Sequence, residues 1–504
     1  MLSHNPSLLF NPGRERRAFE YYAQHAAHYL SGGLGVDFWT QVVPQICRSE
    51  PAVWDAMIAI SALFEYPDQC LDFHFLRSRD CKEHLMNQSQ RDGLAWYSRS
   101  ISTVRSQIQR GRADPYISLI SCVLFICIET IQGRVEEALQ LYRQGVQLIL
   151  DLRVQITVGG VSTSKAALLE HTIVPLFLRL GGVSLTVSGT QPSELYLTTE
   201  KAVSSTFSSI DSARAAIVLL SAEAMIFERE STLHLEAVGG DDYVSSEMLQ
   251  RKKSLQDRLY IWHNAYTDLC EKLRAAATSI ATEPILLAYH ASASIIATGC
   301  LTHLQNVYDV HTADFMLIVE QASQSLNASK GPDGSQPPFT FEMGTGIPLT
   351  VTVMKCRDSI LRRKALSLLK QAPSMQGFFK CTPVALLAEN LMKLEESFSL
   401  ALGEKAANRK LPSSPLDIIN PAGLSSSKQE ATGIYPAFVP EEARICGYGV
   451  FKPGNGLPAG IKKEDITRWG LDSDRLFLQV TRNRLDAATV TWEAYSECMP
   501  LGCL

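Results

Sequence analysis

The chain has 504 residues, 46% of them apolar, and a net charge of −5. That length exceeds what one hydrophobic core ordinarily holds, and the charge gives no bulk attraction for nucleic acid, so any DNA contact needs a local basic patch. Twelve cysteines without a CxxC pair, no run approaching the ~20 apolar residues of a membrane span and no signal-peptide core exclude a disulfide framework and a membrane protein, and point to a soluble intracellular chain.

In chain order, residues 1–17 read as a loose tail. Phe19, Tyr22, Ala23, Ala26, Tyr29 and Leu30 repeat at helical spacing, and Gly32-Gly33 and Gly35 end that helix. Phe38 to Ile46 is a short apolar segment. Ser49-Glu50-Pro51 opens an apolar helix through Trp54, Met57, Ile60 and Phe64, closed by Pro67. Residues 68–93 are polar, and Leu94 to Ile108 is helical. The organising stretch follows. Asp114 is an N-cap and Pro115 a first helical residue, and Ile117 to Ile128 is apolar all round, so that helix is expected to be covered on every side. Gln132-Gly133 turns the chain into a second helix, with Val135, Ala138, Leu139, Tyr142, Val146 and Ile149 on one stripe. Together they form an αα-hairpin. After a Gly/Ser/Thr break at 157–164, a helix runs from Ala166 to Leu180 and ends at Gly181-Gly182. A loop spans 181–210. Helices are expected over 211–229, 246–278, 282–327, Leu349–Leu369 and Val384–Leu402. Residues 403–440 read as a Pro/Ser-rich linker. Short strands are expected at 447–451, 476–480 and 489–492. The fold class is therefore all-α, an irregular multi-helix bundle of αα-hairpins with a small strand-containing C-terminal tail. Its parts are a tail 1–17, a helical domain 18–402, a linker 403–440 and a β-containing segment 441–504. No repeat of fixed period appears.

Three stretches share an order and spacing with one family. They are residues 18–65, beginning AFEYYAQHAAHYLSGG, the hairpin with its Gln132-Gly133 turn, and residues 347–379, beginning IPLTVTVMKCRDSILRRK. With IVPLFLRLGG at 173–182 and Glu441-Glu442-Ala443-Arg444-Ile445, they resemble the helical regulatory region of fungal-specific transcription factors, over roughly residues 18–445. In that family the region usually follows a six-cysteine binuclear zinc cluster. The first cysteine here is Cys47, so the family's zinc ligands map onto no residue of this sequence. Zinc is expected only if a cluster is encoded upstream, and no other cofactor is expected.

Candidate sites are few. Cys70, His74, Cys81 and His84 give C-x3-H-x6-C-x2-H. The six-residue middle is short for a zinc finger, and the pattern reads as a polar segment with scattered Cys and His. Lys355, Arg357, Arg362, Arg363 and Lys364 form a basic segment, a candidate import signal or phosphate-contact surface. The apolar residues between them need burial, so the segment is no free basic tail and reads instead as a solvated helix face with Arg357 paired to Asp358 or another acid. His25 and His28 read as a solvated face, Asp241-Asp242 as a loop, Gly32-Gly33 and Gly35 as no phosphate loop, and Trp39 and Trp54 as packing residues. There is no GxSxG, HExxH or P-loop, and no catalytic role is expected. The resemblance implies a nuclear, pathway-specific transcription regulator of a secondary-metabolite gene cluster. Its partners would be the transcription machinery or co-regulators, a second copy of itself, a small-molecule effector, and DNA indirectly or through a missing cluster. The alternatives are a helical scaffold or small-molecule-sensing co-regulator that does not bind DNA, and a helical enzyme.

Overall fold

The computed structural model describes residues 12–31, 37–67, 86–158, 162–187, 190–198, 204–238, 244–275, 284–331, 333–408, 438–469, 475–486, 488 and 491–501. The first helix, α1 (Pro12–Tyr21), begins inside the expected loose tail. Its charges are tied down: Arg14 meets Asp92 at 3.0 Å, Glu15 meets Arg99 at 2.8 Å and Arg17 meets Glu65. The chain continues through a π-helical turn, Tyr22–Ala26, into Ala27–Leu30. The widened turn rotates the buried face, so Tyr22, Ala26 and Leu30 are inside while Ala23 is exposed.

Helix α2 (Pro51–Glu65) is buried along most of its length. Helix α3 (Gln88–Gln109) starts six residues before the expected Leu94. Asn87 and Gln90 form a reciprocal capping box, with Asn87 Oδ1 accepting from Gln90 N at 2.8 Å and Gln90 Oε1 from Asn87 N at 2.9 Å. The central hairpin follows as α4 (Pro115–Ile131) and α5 (Val135–Thr157). Asp114 accepts from Tyr116 N at 2.8 Å, and the turn is made by Gly133 at φ 74°. Helix α4 packs between α2 and α5, covered on all sides as its composition requires.

The helix Thr163–Ser184 contains a π-helical turn, Leu169–Ile173, and ends as α6 (Val174–Ser184). Gly181 and Gly182 sit inside α6 and do not end it. A Cβ on Gly181 would meet the hydroxyl of Tyr142 and the ring of Tyr196 at 2.7 Å, so the missing side chain serves close packing. Among the described residues this is the one helix long and apolar enough to cross a membrane, and 61% of that window is buried in the body. Its Arg179 is buried and bound to Glu342.

Helices α7 (Ile210–Val238), α8 (Ser246–Ala275), α9 (Pro284–Gly299) and α10 (Thr312–Ala328) continue the body. The single helix expected over 282–327 divides at residues 300–311. The ring of Tyr308 folds back onto Gly299, where a Cβ would lie 2.2 Å from it. Strand β1 (Phe339–Thr340) precedes α11 (Gly346–Lys355) and α12 (Ser359–Gln371). These replace the one helix expected from Leu349 to Leu369. Asp358 caps α12, accepting from Leu361 N at 2.8 Å, and so splits the run. Strands β2 (Met375–Gln376) and β3 (Phe379–Lys380) pair with β1 in a small sheet. Helix α13 (Cys381–Asn408) extends past the expected end at Leu402 into the segment read as linker. Residues 409–437 of that linker lie outside the described residues.

Strands β4 (Ile445–Phe451), β5 (Phe477–Asp486) and β6 (Thr491–Pro500) form an antiparallel sheet in the order β4-β5-β6. Its inner face, with Ile445, Leu478, Val480 and Met499, packs on Leu391, Leu394 and Phe398 of α13. The described part is thus all-α with a small C-terminal sheet, and the sheet is docked on the helical body. The described cysteines are all free.

Candidate functional site

The joint between body and sheet is ionic at its centre. Glu395 lies on the apolar face of α13, one helical turn from Leu391, and its side chain is 2% exposed. It meets Arg357 at 2.7 Å and Arg362 at 2.6 Å, and accepts from Ile445 N, at the start of β4, at 2.7 Å. Burial alone pushes this carboxyl up. The two guanidiniums and the backbone N–H overcome it and hold the group below the usual carboxylate range. The arginines also close α11: Arg362 Nε donates to Val353 O at 2.6 Å, and Arg357 donates to Met354 O at 2.7 Å. Cations at a helix C-terminus satisfy orphan carbonyls and oppose the helix dipole.

The second element of the joint is Glu441-Glu442-Ala443-Arg444-Ile445. Glu441 accepts from Gln305 N and Asn306 N, both at 2.8 Å, and from Asn483 Nδ2 at 2.8 Å. It thereby fixes the break between α9 and α10. Arg444 is fully buried and forks onto both oxygens of Asp309 at 2.8 Å, while its Nε donates to Val439 O at 2.9 Å. Arg482 is sandwiched between Phe398 and Tyr495 and pairs with Glu497 at 2.7 Å.

Between these clusters opens a cavity of about 190 Å³, lined by Tyr308, Asp309, Phe315, Arg357, Phe438 and Arg444, among others. Its lining carries two guanidiniums, Arg357 and Arg444, and two carboxylates, Asp309 and Asp358. Burial pulls the Arg357 guanidinium down to about 10, with Glu395 opposing and Arg362 and Arg444 adding to the effect. Arg357 Nε is buried and has no hydrogen-bond partner among the described residues. Of the cavity's lining, Phe438 is 67% exposed, and Val310, next in sequence to Asp309, is 80% exposed. Cys356 also lines the cavity, but burial pushes its thiol up to about 11, so it is no ready nucleophile.

The basic segment read from the sequence is therefore not a surface. Arg357 and Arg362 are buried on Glu395, Arg363 binds Glu396 at 2.7 Å, and Lys355 lies 3.7 Å from Glu228 and over the Tyr308 ring. Arg357 finds an acid as expected, but that acid is Glu395, because Asp358 is occupied as a helix cap. Of the five, Lys364 alone is exposed. Cys70, His74, Cys81 and His84 lie outside the described residues, as do Asp241-Asp242 and the glycines at 32–35. Among the described residues no group of His, Cys, Asp or Glu is arranged to hold a metal ion. Trp39 and Trp54 are packing residues, Trp39 against Phe341 and Trp54 stacked on Phe19. Sequence reasoning missed Asp309, Glu395 and Phe438. Glu395 left a signal, an acid on the stripe of Leu391, Leu394 and Phe398; Asp309 left none. No family model matches the chain, and neither does any curated protein or solved structure.

Proposed function

We propose that the chain is a nuclear transcription regulator of fungal type, acting through its helical body as a platform for effectors or co-regulators. What supports this reading is the convergence of the stretches that carry the resemblance. Residues 18–65, the hairpin and residues 347–379 pack into one core. Tyr142 of the hairpin stacks on Phe177 of the 173–182 stretch and meets Phe378 edge-on at 5.9 Å. Lys380 donates to Gly133 O of the hairpin turn at 3.1 Å. The fifth stretch, Glu441 to Ile445, latches the sheet to that body. In this reading sequence-selective DNA reading is not a task of the helical body. The test is a tagged full chain and a deletion strain. Nuclear accumulation with altered transcripts of a confined gene set is expected; uniform cytoplasmic signal with an unchanged transcript profile would refute the reading. A small-molecule-sensing role within this reading is favoured by the cavity beside the latch.

A further inference from the structure

A chain of net charge −5 meets DNA only through a local basic patch. Arg357, Arg362 and Arg363 are engaged by acids of the body, so they supply none. The outer side of α3 does. At helical spacing Arg91, Ser98, Ser102, Arg105 and Gln109 fall on one stripe, and all five are exposed. Arg110 and Arg112 follow in the turn that leaves the helix, and both are exposed. From Arg91 to Arg105 the stripe runs about 21 Å. No acid occurs between Asp92 and Asp114. Those two are already engaged: Asp92 holds Arg14 at 3.0 Å, and Asp114 holds Lys165 at 2.6 Å while it caps α4. Arg99 turns to Asp55 and Glu15. Arg91, Arg105, Arg110 and Arg112 make no ion pair among the described residues. A cation at a helix C-terminus opposes the helix dipole, which accounts for Arg110 and Arg112. It does not account for Arg105, and Arg91 stands near the start of α3, where the same dipole disfavours a cation.

We propose that the outer stripe of α3, with the turn after it, binds the phosphate backbone of duplex DNA without reading its sequence. Each exposed side chain of the stripe is a hydrogen-bond donor, and arginine, serine and glutamine are side chains that contact phosphate oxygens. An acidic peptide would need an apolar anchor among the charges. The stripe offers none: Ile108, 58% exposed, lies to one side of it. A lipid surface takes up the apolar face of a helix, and that face of α3, with Trp96 and Tyr97, is buried in the body. The inference goes beyond the regulator reading. It gives the helical body an affinity for DNA that carries no base preference.

The experiment is a fluorescence-anisotropy titration of the full chain against two labelled DNA duplexes of unrelated sequence, over a series of salt concentrations. Both duplexes are expected to bind alike, with a dissociation constant of about 1–100 μM at physiological salt. The logarithm of the binding constant should fall against the logarithm of salt with a slope of about −3.6, for four phosphates at ~0.9 each. The triple variant Arg91→Gln, Arg105→Gln, Arg112→Gln alters exposed side chains only. It should keep the wild-type thermal midpoint, bring the slope to about −0.9 and weaken binding by about tenfold or more. The variant Lys253→Gln, Lys272→Gln, Arg274→Gln removes the same charge from exposed positions of α8. It should bind DNA within about twofold of wild type, since distant exposed charges are screened. No binding, a preference of more than about tenfold for one duplex, equal weakening by the α8 variant, or tighter binding of poly-glutamate or of phosphatidylserine vesicles than of DNA would each overturn the proposal. Because the readout is binding by purified protein, an unchanged transcript profile in the deletion strain would sink the regulator reading and leave the stripe standing; the reverse pattern would sink the stripe alone.

Discussion

Replacing Glu395 with glutamine isolates the ionic joint. The side chain keeps its shape and one acceptor oxygen, but it loses the charge facing Arg357 and Arg362 and presents an NH₂ group to a donor. Both arginines are at least 96% buried, so neither can turn to water. Removing one partner of a buried pair costs about 3–5 kcal/mol, and here a single carboxylate serves two guanidiniums and the Ile445 N–H. Against total stabilities of ~5–15 kcal/mol, that is a large fraction. Urea unfolding followed by tryptophan fluorescence should therefore show Glu395→Gln destabilised by about 3–5 kcal/mol. Limited proteolysis should cut first in the β4-β5-β6 sheet. The triple change Arg357→Met, Arg362→Met, Glu395→Leu removes every charge together and should recover to within about 1 kcal/mol of wild type, since the penalty belongs to orphaned charges and not to a lost net attraction. The effect has a pH signature. The Glu395 carboxyl is held below its unfolded value, so its contribution is present above the unfolded pKa and is lost as pH falls through the folded one. The gap between wild type and Glu395→Gln should shrink in acid. A Glu395→Gln protein within about 1 kcal/mol of wild type at neutral pH would refute the argument.

Other perturbations separate packing from electrostatics. Ile126 is fully buried on α4, so Ile126→Asp should leave the body unfolded or insoluble; a soluble variant with a cooperative melt contradicts the assignment of α4 as the central helix. His290 is pulled down to about 4 by burial, with His263 adding to the effect and Leu259 O and Asp314 opposing it. Its neutral form is favoured in the fold, so stability present above the unfolded value near 6.5 is lost as pH falls, by about 2 kcal/mol at pH 5. His290→Phe should flatten that part of the pH–stability curve, and an unchanged slope would count against the buried neutral imidazole. Gly299→Ala places a Cβ 2.2 Å from the Tyr308 ring. The ring must move, which should cost about 1–3 kcal/mol by denaturation; unchanged stability would show that the approach is not tight.

The sequence made most of the body legible, because helix starts are written in single residues. Asp114 and Pro115 set the start of α4, and Gly133 its turn. Ends and breaks were harder to place. Gly181-Gly182 looked like a stop, yet these residues admit Tyr196 and Tyr142 into a continuing helix. Leu349 to Leu369 looked like one helix, because the apolar spacing continues across the cap at Asp358. The basic segment misled for a related reason. Five cations close in sequence look like a surface until their partners are known, and those partners, Glu228, Glu395 and Glu396, stand on helices remote in sequence. Charge compensation at that distance leaves little periodic trace. The Glu441-to-Ile445 stretch was visible as a motif, but nothing in its sequence says that it is a latch.

The latch and the cavity are one mechanical unit. Arg357 shares Glu395 with the first backbone N–H of β4, and Arg444, one residue before β4, forms the opposite wall with Asp309. Losing the Glu395 charge therefore loosens the end of α11 and the start of β4 together. The apolar contacts of Leu394 and Phe398 with Leu478 and Val480 hold the sheet nearby in either case. The ionic half of the joint thus sets how firmly the sheet is docked, and the apolar half keeps it from leaving.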